Sequence, residues 1–190
     1  MDTTAGLLLA AGAGRRFGSP KALVRHRGAL FVESAARVLA DGGCSPVLVV
    51  LGAAADRVRA EAALGDAVPV DNPDWASGMG SSLRAGLAAL AGTGATAAVV
   101  LAVDTPGVTA EAVGRLAALA TPDALARATY DGVPGHPVLL GRAHWAGAAA
   151  LAVGDAGARE YLRRHAPLDV PCEDVADGSD VDRPEDLPPT

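Results

Sequence analysis

The chain has 190 residues, half of them hydrophobic and a fifth charged, with a net charge of −6. That composition excludes a disordered or fibrous chain, and the absence of any run of lysine and arginine argues against a nucleic-acid binder. The two cysteines, Cys44 and Cys172, lack zinc-ligand spacing and cannot build a disulfide framework, so they are expected to be reduced, packed thiols.

No apolar stretch is long enough to span a bilayer as a helix, so no membrane association is expected. The first apolar run, residues 7–13, has no cationic flank and breaks at Gly12, unlike a secretory signal. A cytoplasmic location is the expectation. In chain order, residues 6–10 predict a buried strand and 11–21 a loop. Residues 30–40 have helical spacing and stop at Gly42-Gly43. The run 46–51 predicts a second buried strand, 54–64 a helix and 68–71 a short strand. Residues 72–82 are polar and contain glycine, which predicts a loop before a helix over 83–90. Residues 97–103 predict another buried strand, ending at Asp104, and Thr109 can N-cap a helix running to residue 119. A strand at 124–130 precedes a turn and an extended segment over 132–141. Helices follow over 143–152 and 156–164, then a last strand at 168–172. The acid- and proline-rich stretch 174–190 predicts a partly ordered tail. No repeat or linker interrupts the chain, and residues 1–190 are expected to form one domain.

Apolar strands alternating with helices predict an α/β fold with a mostly parallel sheet covered on both faces. Ligands of such sheets bind at the carboxyl ends of the strands. The loops beginning at residues 12, 72 and 104 all follow strands.

The first loop reads Leu9-Ala-Ala-Gly-Ala-Gly-Arg-Arg-Phe-Gly-Ser-Pro-Lys21. It is not the Rossmann fingerprint, because Phe17 stands at the third glycine, and it is not a P-loop. Its chemistry is still that of phosphate binding. Glycine lets backbone N–H groups approach an anion, Arg15 or Arg16 can fork onto phosphate oxygens, and Lys21 adds a point charge. A glycine-rich turn with surface cations is the bland alternative.

The run resembles the N-terminal motif of the MobA-like NTP transferases, and within them the molybdenum cofactor cytidylyltransferases. The resemblance implies a three-layer, Rossmann-like nucleotidyltransferase fold. It implies that Leu9, Ala10, Ala11, Gly12, Gly14 and Arg15 line the nucleotide site, and that Arg16 and Lys21 act on the triphosphate. Ala11, where guanylyltransferases tend to carry glycine, implies CTP over GTP.

Asp104 ends a buried strand in Val99-Val-Leu-Ala-Val-Asp104-Thr-Pro106, where it can hold Mg²⁺ against phosphate oxygens or simply cap the turn. The segment Ser179-Asp-Val-Asp-Arg-Pro-Glu-Asp-Leu187 resembles the family's C-terminal motif, with Arg183 in place of threonine. Asp180 is expected to be a second metal contact, with Asp182 its rival; Asp182 also suits an N-cap ahead of Pro184. In Asn72-Pro-Asp-Trp75-Ala-Ser-Gly78-Met-Gly-Ser-Ser82, Gly78 and Ser82 resemble nucleotide contacts, though Ser82 could be an ordinary cap. Trp75 is the candidate pocket wall and Trp145 a packing residue. Gly135-His136-Pro137 and Gly154-Asp155-Ala-Gly-Ala-Arg159 also match the branch. They make His136 and Arg159 candidate acceptor contacts, against a structural histidine and a surface salt bridge.

The expected function is Mg²⁺-dependent transfer of NMP, with CTP favoured as donor, to a phosphorylated small molecule such as molybdopterin, releasing pyrophosphate. The resemblance leaves open a monomer or a complex with a molybdoenzyme maturation factor. The rivals are a sugar-phosphate or other phospho-alcohol nucleotidyltransferase and a non-catalytic NTP-binding module. A nicotinamide oxidoreductase is disfavoured by Phe17.

Overall fold

The computed structural model describes residues 3–189. Its strands are β1 (Thr3–Ala10), β2 (Arg25–His26), β3 (Ala29–Leu30), β4 (Val47–Leu51), β5 (Val68–Asp71), β6 (Ala95–Ala102), β7 (Leu125–Tyr130), β8 (Val133–Gly141) and β9 (Leu168–Pro171). The α-helices are α1 (Phe31–Asp41), α2 (Ala55–Glu61), α3 (Met79–Ala91), α4 (Ala110–Ala117), α5 (Arg142–Leu151) and α6 (Arg159–His165).

Seven strands form one sheet in the order β5-β4-β1-β6-β8-β7-β9, and β2 pairs with β3 in a small ribbon. The pairs β5·β4, β4·β1, β1·β6 and β7·β9 are parallel. Strand β8 runs antiparallel to both β6 and β7. The α/β, mostly parallel architecture expected from the strand pattern is therefore present, with a reversal at β8.

Side chains alternate across each strand, and that alternation divides the core into two layers. On one face Leu8, Val49 and Leu101 meet Val32 and Leu39 of α1 and Val113 and Leu116 of α4. On the other, Leu7, Leu9 and Val100 meet Leu83 and Leu87 of α3, Trp145 of α5 and Leu162 of α6. Trp145 is a packing residue, with its indole N–H donating to Leu140 O at 2.9 Å. Both cysteines are buried and unpaired; burial pushes the Cys44 thiol up to about 12.

Helix starts follow local chemistry. The Thr109 hydroxyl accepts from Ala112 N at 3.2 Å and so caps α4, as expected. Glu33, in the first turn of α1, accepts from Leu30 N and from Ala63 N, and these backbone hydrogen bonds hold its carboxyl below the usual range. Helix α3 starts at Met79, four residues ahead of the position the polarity of the segment suggests, because Gly78 takes φ +113 and turns the chain directly into it. Helix α2 stops at Glu61, where Ala62 turns extended, short of the expected residue 64. Residues 154–156 form a separate 3-10 turn, so α6 begins only at Arg159 rather than at 156.

Beyond β9 the chain is irregular but packed. Val181 is 2% exposed, and its N–H donates to Asp104 O at 2.8 Å. Asp177 N donates to Gly107 O at 3.1 Å. Those two bonds lay the segment across the carboxyl end of β6.

Candidate active site

After β1 the chain bends back on itself. Gly14 has φ +65, and a Cβ there would overlap the Ser19 carbonyl. Gly18 N donates to Gly14 O at 2.8 Å and closes the turn. The loop thereby returns Lys21, which opens a 3-10 turn (Lys21–Leu23), to the carboxyl end of the sheet.

Two carboxylates meet Lys21 there. Its Nζ donates to Asp104 Oδ2 at 3.0 Å and to Asp182 Oδ1 at 2.9 Å. The lysine side chain is 15% exposed. Burial would lower its pKa, but the hydrogen bond it donates to Asp182 and the charge of Asp104 outweigh that effect and raise it above the ordinary value. The same hydrogen bond holds the Asp182 carboxyl below its ordinary range. Arg16 reaches the other oxygen of Asp182 at 3.7 Å from an exposed position.

Two cavities open at this end of the sheet. The first, about 540 Å³, is lined by Gly12, Gly14, Arg15, Arg16, Lys21 and Trp75, among others. The second, about 400 Å³, has apolar walls at Leu83, Val100, Val138 and Leu162, with His136 and Asp180 among its polar groups. Leu9, Met79, Ala102, Asp104, Asp155 and Arg159 line both. Asp104 therefore stands on a shared wall, with Lys21 against it on the side of the first cavity.

The expected nucleotide residues Leu9, Ala11, Gly12, Gly14, Arg15, Gly78 and Ser82 all reach the first cavity, and Trp75 forms part of its wall. Ala10 does not line it: alternation along β1 turns its side chain into the opposite core layer, beside Leu8. Ser82 caps nothing; Gly78 is the N-cap of α3, and the Ser82 hydroxyl accepts from the Asn72 amide at 3.0 Å. Asp104 turns its carboxylate to Lys21 instead of capping the next turn, where Thr105 Oγ1 donates to Ala102 O. Asp182 does not cap the turn at Pro184 either; Asp186 accepts from Asp182 N and Arg183 N there.

Asp180 lies away from Lys21, in the second cavity. Desolvation there and the charge of Asp104 raise its carboxyl, with His136 opposing. The His136 ring lies with Nδ1 3.3 Å from Val100 O. Arg159 opens α6 with no salt bridge among the described residues, while its neighbour Glu160 is held by Arg163 and Arg164. Sequence reasoning missed Asp155. The motif over residues 154–159 points to Arg159, whereas the structure sets Asp155 on both cavities as well.

The chemistry of these donors suits a hard divalent cation. Asp104 and Asp182 converge on one point from distant parts of the chain, and Lys21 satisfies both. Among the described residues no group of three or more His, Cys, Asp or Glu gathers. Two carboxylates completed by phosphate oxygens and water is the usual arrangement for Mg²⁺.

Cations on a glycine-rich loop and paired cavities thus lie together at the carboxyl end of a mostly parallel sheet. Residues 6–169 match the MobA-like NTP transferase domain. The nicotine blue oxidoreductase of Paenarthrobacter nicotinovorans is 43% identical, over 96% of this chain and 93% of its own length. A molybdenum cofactor guanylyltransferase of Rhodobacter capsulatus is 38% identical, over 76% of this chain and 66% of its own. The crystal structure of Rv0371c from Mycobacterium tuberculosis H37Rv superposes with a TM-score of 0.82 at 28% identity, covering 97% of this chain and 95% of that one. The manganese complex of the same protein superposes at 0.72, with 27% identity over 89% and 88%. The chain belongs to the MobA-like NTP transferase family.

Proposed function

We propose that the chain transfers a nucleoside monophosphate from an NTP to a phosphorylated small-molecule acceptor. The observation that carries this reading is the shared wall: Asp104 borders both cavities, and Lys21 lies against it from the side of the glycine-rich loop. A donor in the first cavity and an acceptor in the second would meet at that wall.

An acceptor phosphate oxygen attacks the α-phosphorus, a new P–O bond forms, and the α–β bridge breaks to release pyrophosphate. The acceptor phosphate is already ionised at neutral pH, so alignment and charge neutralisation carry the catalysis. Lys21 leaves its carboxylates to offset charge growing on the α-phosphate. Arg16, with Arg15 beside it, holds the departing pyrophosphate. Gly78, Ser82 and the backbone of residues 11–14 cradle the nucleotide, and His136 and Arg159 meet the acceptor. Asp104 and Asp182 would hold a Mg²⁺ ion, which when bound supplies charge neutralisation to the phosphate oxygens; Asp180 lines the second cavity, on the acceptor side. Ala11 favours CTP, and the guanylyltransferase relative makes GTP the competitor. The favoured acceptor is a molybdopterin-type phosphate, ahead of a sugar phosphate. The reading takes residues 1–190 as one catalytic domain acting in the cytoplasm.

A second reading rests on the 43% identity to the nicotine blue oxidoreductase. In it the paired cavities hold a hydride donor and a planar oxidised ring. One screen separates the two: pyrophosphate release from four NTPs with Mg²⁺ and molybdopterin-type or sugar-phosphate acceptors, run beside NADH and NADPH oxidation with quinonoid acceptors. Pyrophosphate that appears only with NTP, metal and acceptor together is the expected result. Turnover of NAD(P)H with no pyrophosphate from any combination overturns the transferase proposal in favour of the second. NTP binding without either turnover indicates a binding module.

A further inference from the structure

We propose that Asp155 determines specificity by accepting hydrogen bonds from the ribose hydroxyls of the bound nucleotide. The inference rests on the transferase reading and gives a function to a residue which that reading leaves unused.

Asp155 lies in the 3-10 turn Gly154–Ala156, between α5 and α6. It borders both cavities. Its Oδ1 faces Gly78, where a Cβ would come within 2.6 Å, and among the described residues the carboxylate has no hydrogen-bond or ion-pair partner. The other carboxylate on the shared wall, Asp104, is paired with Lys21.

An unpaired carboxylate beside a polyanionic ligand is unfavourable unless the ligand offers it a donor, since an ionised carboxyl can only accept. An NTP offers donors at the ribose hydroxyls and on the base. Position decides between them. The reacting α-phosphorus has to lie where the cavities meet, and the ribose is bonded to that phosphate while the base is one unit further off. Asp155 is at this junction. The base end falls to the Trp75 side, where the Asn72 amide is already committed to Ser81 and Ser82. Gly78 leaves room for the carboxylate, because a side chain there would meet both Gly154 O and Asp155 Oδ1.

The test is equilibrium binding of GTP and CTP, each beside its 2′-deoxy and 3′-deoxy form, with Mg²⁺ and no acceptor. The proteins are the intact wild type, Asp155→Asn and Asp155→Ala. The wild type is expected to bind the ribonucleotide about tenfold more tightly than at least one deoxy form, the usual size of a hydrogen bond to a charged group. In Asp155→Ala that preference collapses towards one, and Asp155→Asn falls between. A variant that keeps the full preference overturns the inference while leaving NTP binding, and so the transferase reading, intact. A wild type that binds no NTP sinks both.

Discussion

Lys21 meets partners 83 and 161 positions away in the chain, and it stands at the centre of the proposed chemistry. Lys21→Ala or Asp104→Ala is expected to lower pyrophosphate release by about a hundredfold or more, the usual cost of losing an aligned charge-stabilising group. The far-ultraviolet circular dichroism should stay unchanged, and near-normal turnover in either variant would remove that residue from the mechanism. The pH behaviour follows from the two shifts. The Lys21 value is raised, so its contribution to stability is complete below 10.5 and lost as pH rises through the higher folded value. The Asp182 value is lowered, so its share is complete above 3.8 and lost as pH falls through the lower folded value. In metal-free buffer, the urea-midpoint deficit of Lys21→Met against wild type should be flat from about pH 5 to 9 and shrink in stronger acid. The identity of Lys21, Asp104 and the loop glycines was legible in the sequence, because strand-then-loop motifs are local. The clasp was not, since it joins three distant segments. The exclusion of Ala10 was legible in principle: successive residues on a strand face opposite ways, so Leu9 and Ala11 cannot share a cavity wall with the side chain between them.

The start of α3 is where two loops and a cavity come together. Gly78 holds φ +113, and a Cβ there would come within 2.5 Å of Gly154 O, so no other residue fits without moving the 154–155 turn. Gly78→Ala is expected to cost about 1–3 kcal/mol of stability by urea unfolding, from backbone strain and displaced packing. It should also weaken nucleotide binding, and an unchanged midpoint would show that the loop yields freely. The polarity of residues 72–82 hid this early start, because Ser81 and Ser82 look like loop residues yet satisfy their hydroxyls against Asn72 within the first helical turn. The reversal at β8 was hidden for a different reason. Apolar content reports that a strand is buried but carries no sign for its direction, and only the tight turn at Asp131 and Gly132 hints that β7 and β8 form a hairpin.

At the scale of the whole molecule, ligand and stability are linked. A metal–NTP complex that binds only the folded state should raise the melting temperature by about 5–10 °C at a hundredfold excess over Kd. The same NTP in EDTA should do far less, and equal shifts with and without metal would argue against Asp104 and Asp182 as ion ligands. The C-terminal stretch, which reads from composition as a loose tail, is drawn into this linkage because Val181 is buried and Asp182 closes the lysine clasp. Its role could not be read from its polarity, since the anchoring depends on one apolar side chain and backbone bonds to Gly107 and Asp104.

The placement of β6 has a consequence for how such a chain can change its chemistry. The first cavity is built on the parallel half of the sheet and the second on the reversed half, with Ala102 at the seam. Residues 133–136 and 138 of the hairpin and 178–180 of the C-terminal strap touch only the second cavity. Mutation can therefore redraw one compartment while the other keeps its walls. A fold built this way can change one compartment without rebuilding the other, and the chain matches relatives named for two different activities.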